Sequence, residues 1–210
     1  MMDVKCKKCI RVNEKLFLKG EKCFSAKCPL ARKATKGRPR KIVKHPKRGL
    51  SEYGLQMRDK QKVKLTYGIS ERQLTNFVKE AGKKKNEDMS ARLYHFLEMR
   101  IDNTAFRTGF FDSRTKSRQG VSHGHIIVNG RRVNIPSLRI KIGDKIAIRP
   151  QSSVKGLFKD LDIKIKKYNP PSWINLDKEK KIGEIIGVPS LAEEPTIHQQ
   201  LNSIIEFYSR

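Results

Sequence analysis

The sequence predicts an α+β fold in which a mainly helical part is followed by helices packed on a small antiparallel sheet. Apolar side chains recur at helical spacing behind a capping-box pattern at Ser70, and this stripe ends at Gly82. Further along, the dipeptide Asn129-Gly130 separates two short strand-forming runs, as in a tight hairpin. Residues 145–149 alternate as a half-buried strand should, so we expect them to complete the sheet.

The first 28 residues contain all four cysteines, as Cys6-x2-Cys9 and Cys23-x4-Cys28 with thirteen residues between the pairs. Two close pairs joined by a short loop can surround one ion with four thiolates, and the lysines nearby favour deprotonated sulfur. We therefore expect one structural zinc ion, because a closed four-sulfur shell leaves no position for a substrate water. Two disulfides, free thiols and an iron–sulfur cluster are the alternatives.

The charge distribution favours a polyanionic partner. The chain carries 47 lysines and arginines against 21 acidic residues. Residues 1–50 hold 17 basic and 3 acidic side chains, whereas residues 151–210 hold 9 and 8. An anionic membrane would attract such a chain too, but the sequence has no run of about 18 apolar residues. The N-terminus lacks an apolar signal core, so we expect a cytoplasmic protein, with an organelle matrix as the alternative.

A basic arm is expected over residues 30–50, where lysine, arginine, proline and glycine leave little to bury. We expect it to run extended along the polyanionic partner, which the family resemblance described below identifies as RNA. Its candidate RNA-binding residues are Arg38, Arg40, Lys41, Lys47 and Arg48.

A short cationic helix leading into the hairpin predicts a nucleic-acid-binding surface. Ser113 can cap this helix, and Arg114 and Arg118 lie four apart on one face, where both can reach phosphates. Histidines after the helix can stack on exposed bases. The candidates here are Arg114, Lys116, Arg118, His123, His125, Asn129, Arg131 and Arg132. For any single arginine, ordinary solvation is the alternative.

Several single residues outside these motifs allow a prediction about their own role. Asp102 stands among many cations and is interpreted as an orienter of ion pairs. Trp173 is expected in a core, with base stacking as the alternative. Gly120 interrupts the cationic helix at a cost of about 1 kcal/mol relative to alanine. In the helical region the RNA-binding candidates are Tyr53, Arg58, Lys62 and Arg72.

The motifs together resemble a known family. The run from Ser113-Arg114 through Arg118-Gln119, Val121, His123–Ile126 and Val128–Gly130, followed by Pro136-Ser137 and Gly143-Asp144, is similar to the RNA-binding module named after ribosomal protein S4. The segments Ser51–Gln56, Tyr67–Gln73 and Ile205–Arg210 resemble the bacterial-type small-subunit ribosomal protein S4 family nearly end to end. The sequence departs from this family in lacking a Tyr-Pro-Pro-Gly segment in the arm, and in having Gly120 and Ser117 where apolar residues and alanine are usual.

The resemblance implies a structural constituent of the small ribosomal subunit and a zinc-binding four-cysteine form of the family. Such proteins bind 16S rRNA at a helix junction, begin assembly of the subunit body, influence decoding accuracy with neighbouring ribosomal proteins and line the channel through which messenger RNA enters. It also implies that the RNA-binding module is inserted into a helical domain. The expected division is 1–49 for the zinc segment and arm, 50–90 for the helical domain, 91–160 for the module, 161–176 for a connecting segment, and 177–210 for strands that pack back on the helical domain.

Other classes of function remain as alternatives. A stand-alone RNA-binding or RNA-modifying protein can carry the same module, and a zinc-dependent DNA-binding regulator would also be basic. We expect no enzyme, because the sequence has no phosphate-binding loop of the GxxxxGK[ST] type and no histidine–carboxylate pairing at catalytic spacing.

Overall fold

The computed structural model describes residues 4–35, 51–84, 87–153 and 156–209. The candidates Arg38, Arg40, Lys41, Lys47 and Arg48 lie outside these residues. The start of the expected extended arm differs from the prediction, since Pro29–Thr35 is helical.

The elements follow one another as helices, then a sheet interrupted by short helices, then a final helix. The helices are α1 (Val4–Val12), α2 (Glu21–Phe24), α3 (Pro29–Thr35), α4 (Glu52–Tyr67), α5 (Glu71–Ala81), α6 (Met89–Glu98), α7 (Ile101–Arg107), α8 (Arg114–Ser122), α9 (Pro150–Ser153), α10 (Leu161–Lys167) and α11 (Pro195–Ser209). The strands are β1 (Ile126–Val128), β2 (Arg131–Val133), β3 (Lys145–Ile148), β4 (Ile174–Asp177) and β5 (Ile182–Ile185).

The helical part is built around α4, α5, α6 and α11. The capping box at Ser70 is confirmed, because its side chain accepts from the N–H of Gln73 while the Gln73 side chain accepts from the N–H of Ser70. The stripe that follows buries Leu74 completely against Leu93 and other apolar side chains of α6 and α11. This core holds the ends of α4 and α6 in place, where the RNA-binding module begins.

The prediction of C-terminal strands was wrong for the last residues of the chain. Residues 195–209 form α11, which packs on α4 and α6 with Leu201 and Ile204 fully buried. Ile197, Leu201, Ile204 and Tyr208 recur at spacings of three and four, which is the helical period. The adjacent apolar residues at 204–208 suggest a strand only because so short a stretch does not show this period.

In the described part of the chain, the sheet contains five antiparallel strands in the order β2-β1-β3-β5-β4. The hairpin is confirmed: Asn129 and Gly130 have φ values of 49° and 78°, the left-handed conformations that a tight turn between twisted strands requires. Strand β5 pairs with β3, so it extends the sheet of the module and does not lie on the helical domain as expected.

Residues expected to form a connecting segment contribute to the core of the module. Leu161 and Ile165 of α10 and Ile174 of β4 are buried with the apolar side chains of the sheet. Trp173 is 3% exposed in the same cluster, which confirms the expectation of a core residue. The sheet and its covering helices therefore continue well past residue 160.

The N-terminal segment has a small core of its own, formed by Cys9, Val12, Leu16 and Leu18. Two ion pairs attach this segment to the rest of the chain. Glu14 Oε2 lies 2.5 Å from Lys62 Nζ on α4, and Glu21 Oε1 lies 2.7 Å from Lys164 Nζ on α10.

Gly120 has a packing reason that the sequence did not reveal. It lies in α8 with the ring of Phe111 against the helix backbone, so that a Cβ added at Gly120 would meet Phe111 Cζ at 2.4 Å. Phe111 is itself 6% exposed and in contact with the core of the module. The glycine therefore allows a close approach between helix and ring that compensates for its low helix propensity.

We expect Gly120→Ala to destabilise the chain, although alanine is the better helix former by about 1 kcal/mol. Displacing a buried ring costs typically about 1–3 kcal/mol, so overpacking should dominate. Urea unfolding followed by circular dichroism would measure the change. The control is Gly156→Ala, where an added Cβ has no neighbour within 4 Å and a change below about 0.5 kcal/mol is expected. A more stable Gly120→Ala chain would contradict this account.

Candidate nucleic-acid interface

The hairpin presents its arginines to solvent as the sequence predicted. Arg131 and Arg132 are both exposed on the edge strand β2. The Arg132 guanidinium lies over Gly124 and donates from Nη2 to the carbonyl oxygen of His123 at 3.3 Å. Gly124 has a φ of 70°, and a Cβ there would overlap Arg132 Nε. This glycine both ends the helical segment and leaves room for the arginine beside the hairpin.

Asn129 is exposed, but its side chain already has partners in the chain. Its Nδ2 donates to Asp144 Oδ1 at 2.8 Å, and its Oδ1 accepts from the N–H of Lys145 at 2.9 Å. These bonds fix the hairpin turn to the loop before β3. RNA binding by Asn129 stays a prediction, and the geometry gives it a structural role in the free chain.

Arg114 points inward from the first residue of α8. Its Nε donates to Asn103 Oδ1 at 2.6 Å, and its guanidinium carbon lies 4.8 Å from the ring centres of both Tyr67 and Phe106. The side chain is only 18% exposed. We expected Arg114 and Arg118 to reach successive phosphates as a pair. The free chain does not present them as a pair, because the guanidinium of Arg114 lies close to two aromatic rings.

Arg118 and Lys116 remain accessible on α8. Arg118 donates from Nη1 to Asp102 Oδ2 at 3.1 Å and to the carbonyl oxygen of Gly68 at 3.2 Å, with 39% of its side chain exposed. Lys116 Nζ lies 2.6 Å from Asp112 Oδ2. Both cations keep donors for a further anionic partner.

Asp102 orients ion pairs, as the sequence suggested. It is buried and binds Arg100 through two hydrogen bonds of 3.0 and 2.7 Å, in addition to its pair with Arg118. Its backbone oxygen accepts from the Ser117 hydroxyl, which gives Ser117 a function that the more usual alanine lacks.

Glu98 is the central residue that sequence reasoning missed. It is fully buried at the end of α6 and accepts hydrogen bonds from Tyr67, Asn103 and Arg107 at 2.6–3.0 Å, while Arg114 lies 3.6 Å away. We call these five residues the Glu98 cluster. One feature of the sequence could have indicated this buried carboxylate: Glu98 directly follows Leu97, the last leucine in the apolar stripe of its helix.

The pKa values in the Glu98 cluster follow from burial and charge. Burial alone would raise the pKa of Glu98, but attraction to Arg107, together with its hydrogen bond and the charge of Arg114, lowers the pKa below its ordinary value. Burial, reinforced by the Glu98 charge, raises the pKa of Tyr67. The cluster therefore holds an ionised carboxylate between cations at neutral pH.

The RNA-binding candidates on the helical part also divide into exposed and covered side chains. Arg58 and Arg72 are exposed, and Tyr53 is exposed with its ring 5.6 Å from that of Phe207. Lys62 is mostly covered by its pair with Glu14.

The two histidines lie side by side after α8. Their ring centres are 5.8 Å apart in an edge-to-face arrangement, and His123 is exposed. His125 is partly buried, with Nδ1 3.0 Å from Ser152 Oγ. His123 is thus the more accessible of the two rings.

The four cysteines converge on one small cavity, whose lining also includes Lys5, Leu18 and Lys19. All four are free thiols. The N–H of Lys19 donates to Cys23 Sγ at 3.4 Å, and a backbone hydrogen bond from Leu16 reaches Cys9. Burial raises the pKa of Cys9, and the charges of the other three thiols add to this effect.

The test for a metal site gives a mixed result. The donor set and the shared cavity fit four-thiolate ligation, and backbone N–H groups directed at sulfur are typical surroundings for it. Within residues 4–35, 51–84, 87–153 and 156–209, however, no three histidine, cysteine or acidic side chains are arranged so that they could hold a metal ion. The structure therefore shows four cysteines clustered at one cavity, with their side chains not arranged as a metal-binding group.

A small antiparallel sheet with exposed arginines beside a cationic helix defines a basic nucleic-acid-binding protein of the α+β class. Two family models match the chain: "Ribosomal protein S4/S9 N-terminal domain" over residues 2–98 and "S4 domain" over residues 99–146. The chain belongs to the uS4 family, as its relatives along the full length show.

Those relatives carry the name small ribosomal subunit protein uS4. The protein from Syntrophomonas wolfei is 38% identical over 99% of this chain and 98% of its own length. The protein from Thermoanaerobacter sp. and the uS4A protein of Symbiobacterium thermophilum are each 40% identical over 98% of this chain and 96% of their own lengths. Within the described part of the chain, none of the helices is long and apolar enough to span a membrane.

We expect Glu98→Gln to destabilise the chain by about 3 kcal/mol at neutral pH, because it removes the only fully buried carboxylate that faces the largely covered Arg107 and Arg114 among the described residues, and leaves Arg107 with Glu194 alone. Because folding lowers the pKa of Glu98, its ionised carboxylate stabilises the folded chain at pH values above its ordinary pKa. This stabilisation is lost as the pH falls through the lowered pKa. The difference between wild type and variant should therefore shrink in acid. Urea unfolding at pH 7 and below pH 4 would measure it.

The matched control for this variant is Glu80→Gln. Glu80 pairs with Arg139 at 2.6 Å on the surface, so its loss should cost less than about 1 kcal/mol. If the two substitutions lower the free energy of unfolding equally, the Glu98 cluster contributes no more to stability than a surface ion pair does.

Proposed function

We infer that this chain is a structural constituent of the small ribosomal subunit and binds its rRNA. The observation that carries this inference is similarity to uS4 proteins over essentially the whole chain, in a protein that exposes arginines on the module of that family. The location that follows is the cytoplasmic ribosome. The partners are 16S rRNA and neighbouring ribosomal proteins.

We propose further that the chain binds a junction of 16S rRNA helices early and thereby begins assembly of the subunit body. Cations on two separated parts of one scaffold support this: Arg58 and Arg72 on the helical part, and Arg131 and Arg132 on the hairpin. Buried ion pairs around Glu98 and Asp102 hold these parts together. A rigid arrangement of cations matches phosphates on a folded RNA better than on a flexible strand.

The physical basis of binding is release of counterions. Each phosphate neutralised by an arginine or lysine frees condensed cations from the RNA, so affinity falls steeply with salt. Arginine also forms forked hydrogen bonds with phosphate oxygens. Base contacts by Tyr53, His123 and His125 are then secondary.

Of the RNA-binding candidates, those with side chains accessible to solvent have the stronger support. They are Tyr53, Arg58, Arg72, Lys116, Arg118, His123, Arg131 and Arg132. Lys62, Arg114 and His125 are partly or mostly covered by their contacts within the chain, and exposed Asn129 uses both its amide nitrogen and its amide oxygen in the hairpin, so these four would contact RNA only after exchanging or sharing partners. The five arm residues are proposed on charge alone.

We also propose the finer parts of the interpretation that come from the family. The helical domain, residues 50–90, would be completed by the C-terminal residues, with the module between them; packing of α11 on α4 supports this. Contact with messenger RNA near the channel where it enters, and influence on decoding accuracy, follow from the resemblance. The proposed role is structural and not enzymatic.

We propose that the four cysteines bind one structural zinc ion, after a small rearrangement of the sulfur atoms in the shared cavity. Four thiols facing one cavity beside exposed Lys7 and Lys8 support the idea. Bound zinc would stabilise the small core of Cys9, Val12, Leu16 and Leu18, which by itself is too small to fold alone.

The test of the function is filter binding of the full chain to 16S rRNA at several potassium chloride concentrations. We expect affinity to fall linearly on logarithmic axes. The Arg131→Ala/Arg132→Ala variant should bind more weakly, with a slope reduced by about 1 for each phosphate that is no longer neutralised. The matched control removes two exposed lysines, Lys159 and Lys180, from the nearly neutral C-terminal part.

Three outcomes would contradict the proposal: binding independent of salt, equal weakening in the control variant, or duplex DNA competing as well as structured RNA. The alternative of a stand-alone RNA-binding or RNA-modifying protein is tested in the same preparation. It requires the chain to be absent from purified small subunits, whereas a structural constituent is present in stoichiometric amount.

The zinc proposal predicts about one zinc per chain after purification without chelator, and clearly less in Cys9→Ser and Cys23→Ser variants. Chelation should speed amide hydrogen exchange in residues 4–35 while the sheet keeps its protection. Zinc well below one per chain, with exchange unaffected by chelator, would remove the proposal. A visible absorption band with bound iron would favour the iron–sulfur alternative.

A further inference from the structure

Two phenylalanines in the cysteine segment form an exposed aromatic pair. The rings of Phe17 and Phe24 are stacked with centres 5.0 Å apart and planes inclined by 29°. Phe17 is 46% exposed and Phe24 is 75% exposed. Large aromatic side chains normally contribute to cores or interfaces, so a stacked pair left in solvent indicates a surface that has a partner.

The local core does not use these rings. Leu16 and Leu18 point inward and are buried, whereas Phe17 between them points outward. Phe17 has a φ of 50°, a left-handed conformation that is uncommon and unfavourable for a bulky residue. The backbone is thus held in a strained form that presents the ring outward, a type of strain that concentrates at binding sites.

The surroundings of the pair are cationic. Lys15, Lys22 and Lys27 are exposed within three residues of one ring or the other. The two acids of this stretch are already neutralised, Glu14 by Lys62 and Glu21 by Lys164. The charge available next to the rings is therefore positive.

Aromatic faces flanked by lysines fit single-stranded nucleic acid better than protein. A base stacks on an aromatic ring whatever its identity, and nearby cations hold its phosphates. Protein interfaces, in contrast, are depleted of lysine and place aromatic anchors in pockets. Phe24 stacks on Phe17 and is still 75% exposed, so one more flat ring can extend the stack.

We propose that Phe17 and Phe24 form a stacking platform for an unpaired base of the rRNA, with the neighbouring lysines on its phosphates. The proposal rests on the inferred function and adds a binding site on the cysteine segment, well separated in sequence from the S4 module. Its contribution depends on the π face of the ring and not on charge.

The test compares Phe24→Leu with Phe24→Trp in the full chain, by filter binding to 16S rRNA over a range of potassium chloride. Leucine keeps apolar area but has no π face, whereas tryptophan enlarges it. We expect Phe24→Leu to weaken binding about tenfold with an unchanged salt slope, and Phe24→Trp to bind at least as well as wild type. Ile163→Ala, another exposed apolar side chain at 65%, should bind as wild type does.

A direct readout comes from the fluorescence of the Phe24→Trp chain. Trp173 is buried, and the wild-type chain supplies its background signal. We expect the added tryptophan to be quenched when 16S rRNA binds, as a stacked indole is. Amide exchange of residues 4–35 in each variant shows whether the segment keeps its fold.

The outcomes separate the platform from the function it rests on. If wild-type chain fails to bind rRNA, the inferred function is wrong. If wild type binds and Phe24→Leu binds equally well, with no quenching in Phe24→Trp, only the platform is overturned. If Phe24→Leu binds naked rRNA normally but fails to join subunits when other ribosomal proteins are present, the rings dock on protein and the proposal is also overturned.

Discussion

The arrangement of the chain depends on the hydrogen bonds and ion pairs made by the buried carboxylate of Glu98. It lies where the last residues of α4, α6 and α7 meet the first residue of α8, and it binds a side chain from each of the neighbouring elements. A buried charge is tolerated only when cations and hydrogen bonds surround it, so each of these helix ends has to stay in place for the others to be stable. Arg107 extends the same network to Glu194, directly before α11. The relative position of the two exposed cationic surfaces therefore follows from one ionised group at the centre.

This arrangement changes the interpretation of the cations. Arginines that look equivalent in the sequence divide into those that hold the scaffold and those that face solvent: Arg114 is enclosed by two rings, whereas Arg131 and Arg132 are exposed. A chain with an excess of basic residues uses some of them internally, because its few acids are paired with particular cations. Net charge thus overstates the surface available to RNA, and the accessible set is smaller and better defined.

The sequence predicted those parts of the fold that depend on local signals. The capping box at Ser70, the turn at Asn129-Gly130 and the burial of Trp173 follow from short-range chemistry, and the structure agrees. The failures involve long-range partners. Residues 195–209 form a helix whose period does not show in a short stretch, and β5 pairs with a strand some forty residues earlier. Glu98 could not be assigned because its partners come from three separate helices, α4, α7 and α8, and the role of Gly120 depends on a ring brought to it by the fold.

The order of the chain has a consequence for its synthesis. The inner strand β5 and the helix α11 both come from the last thirty residues, yet β5 completes the sheet beside β3 and α11 completes the helical core with Leu201 and Ile204. Domains commonly fold from the N-terminus as the polypeptide emerges, but here neither core can close until β5 and α11 have been synthesised. The nascent chain therefore emerges with its basic residues before the scaffold that positions them exists. The spacing between the two cationic surfaces is set only when α11 docks on α4 and α6.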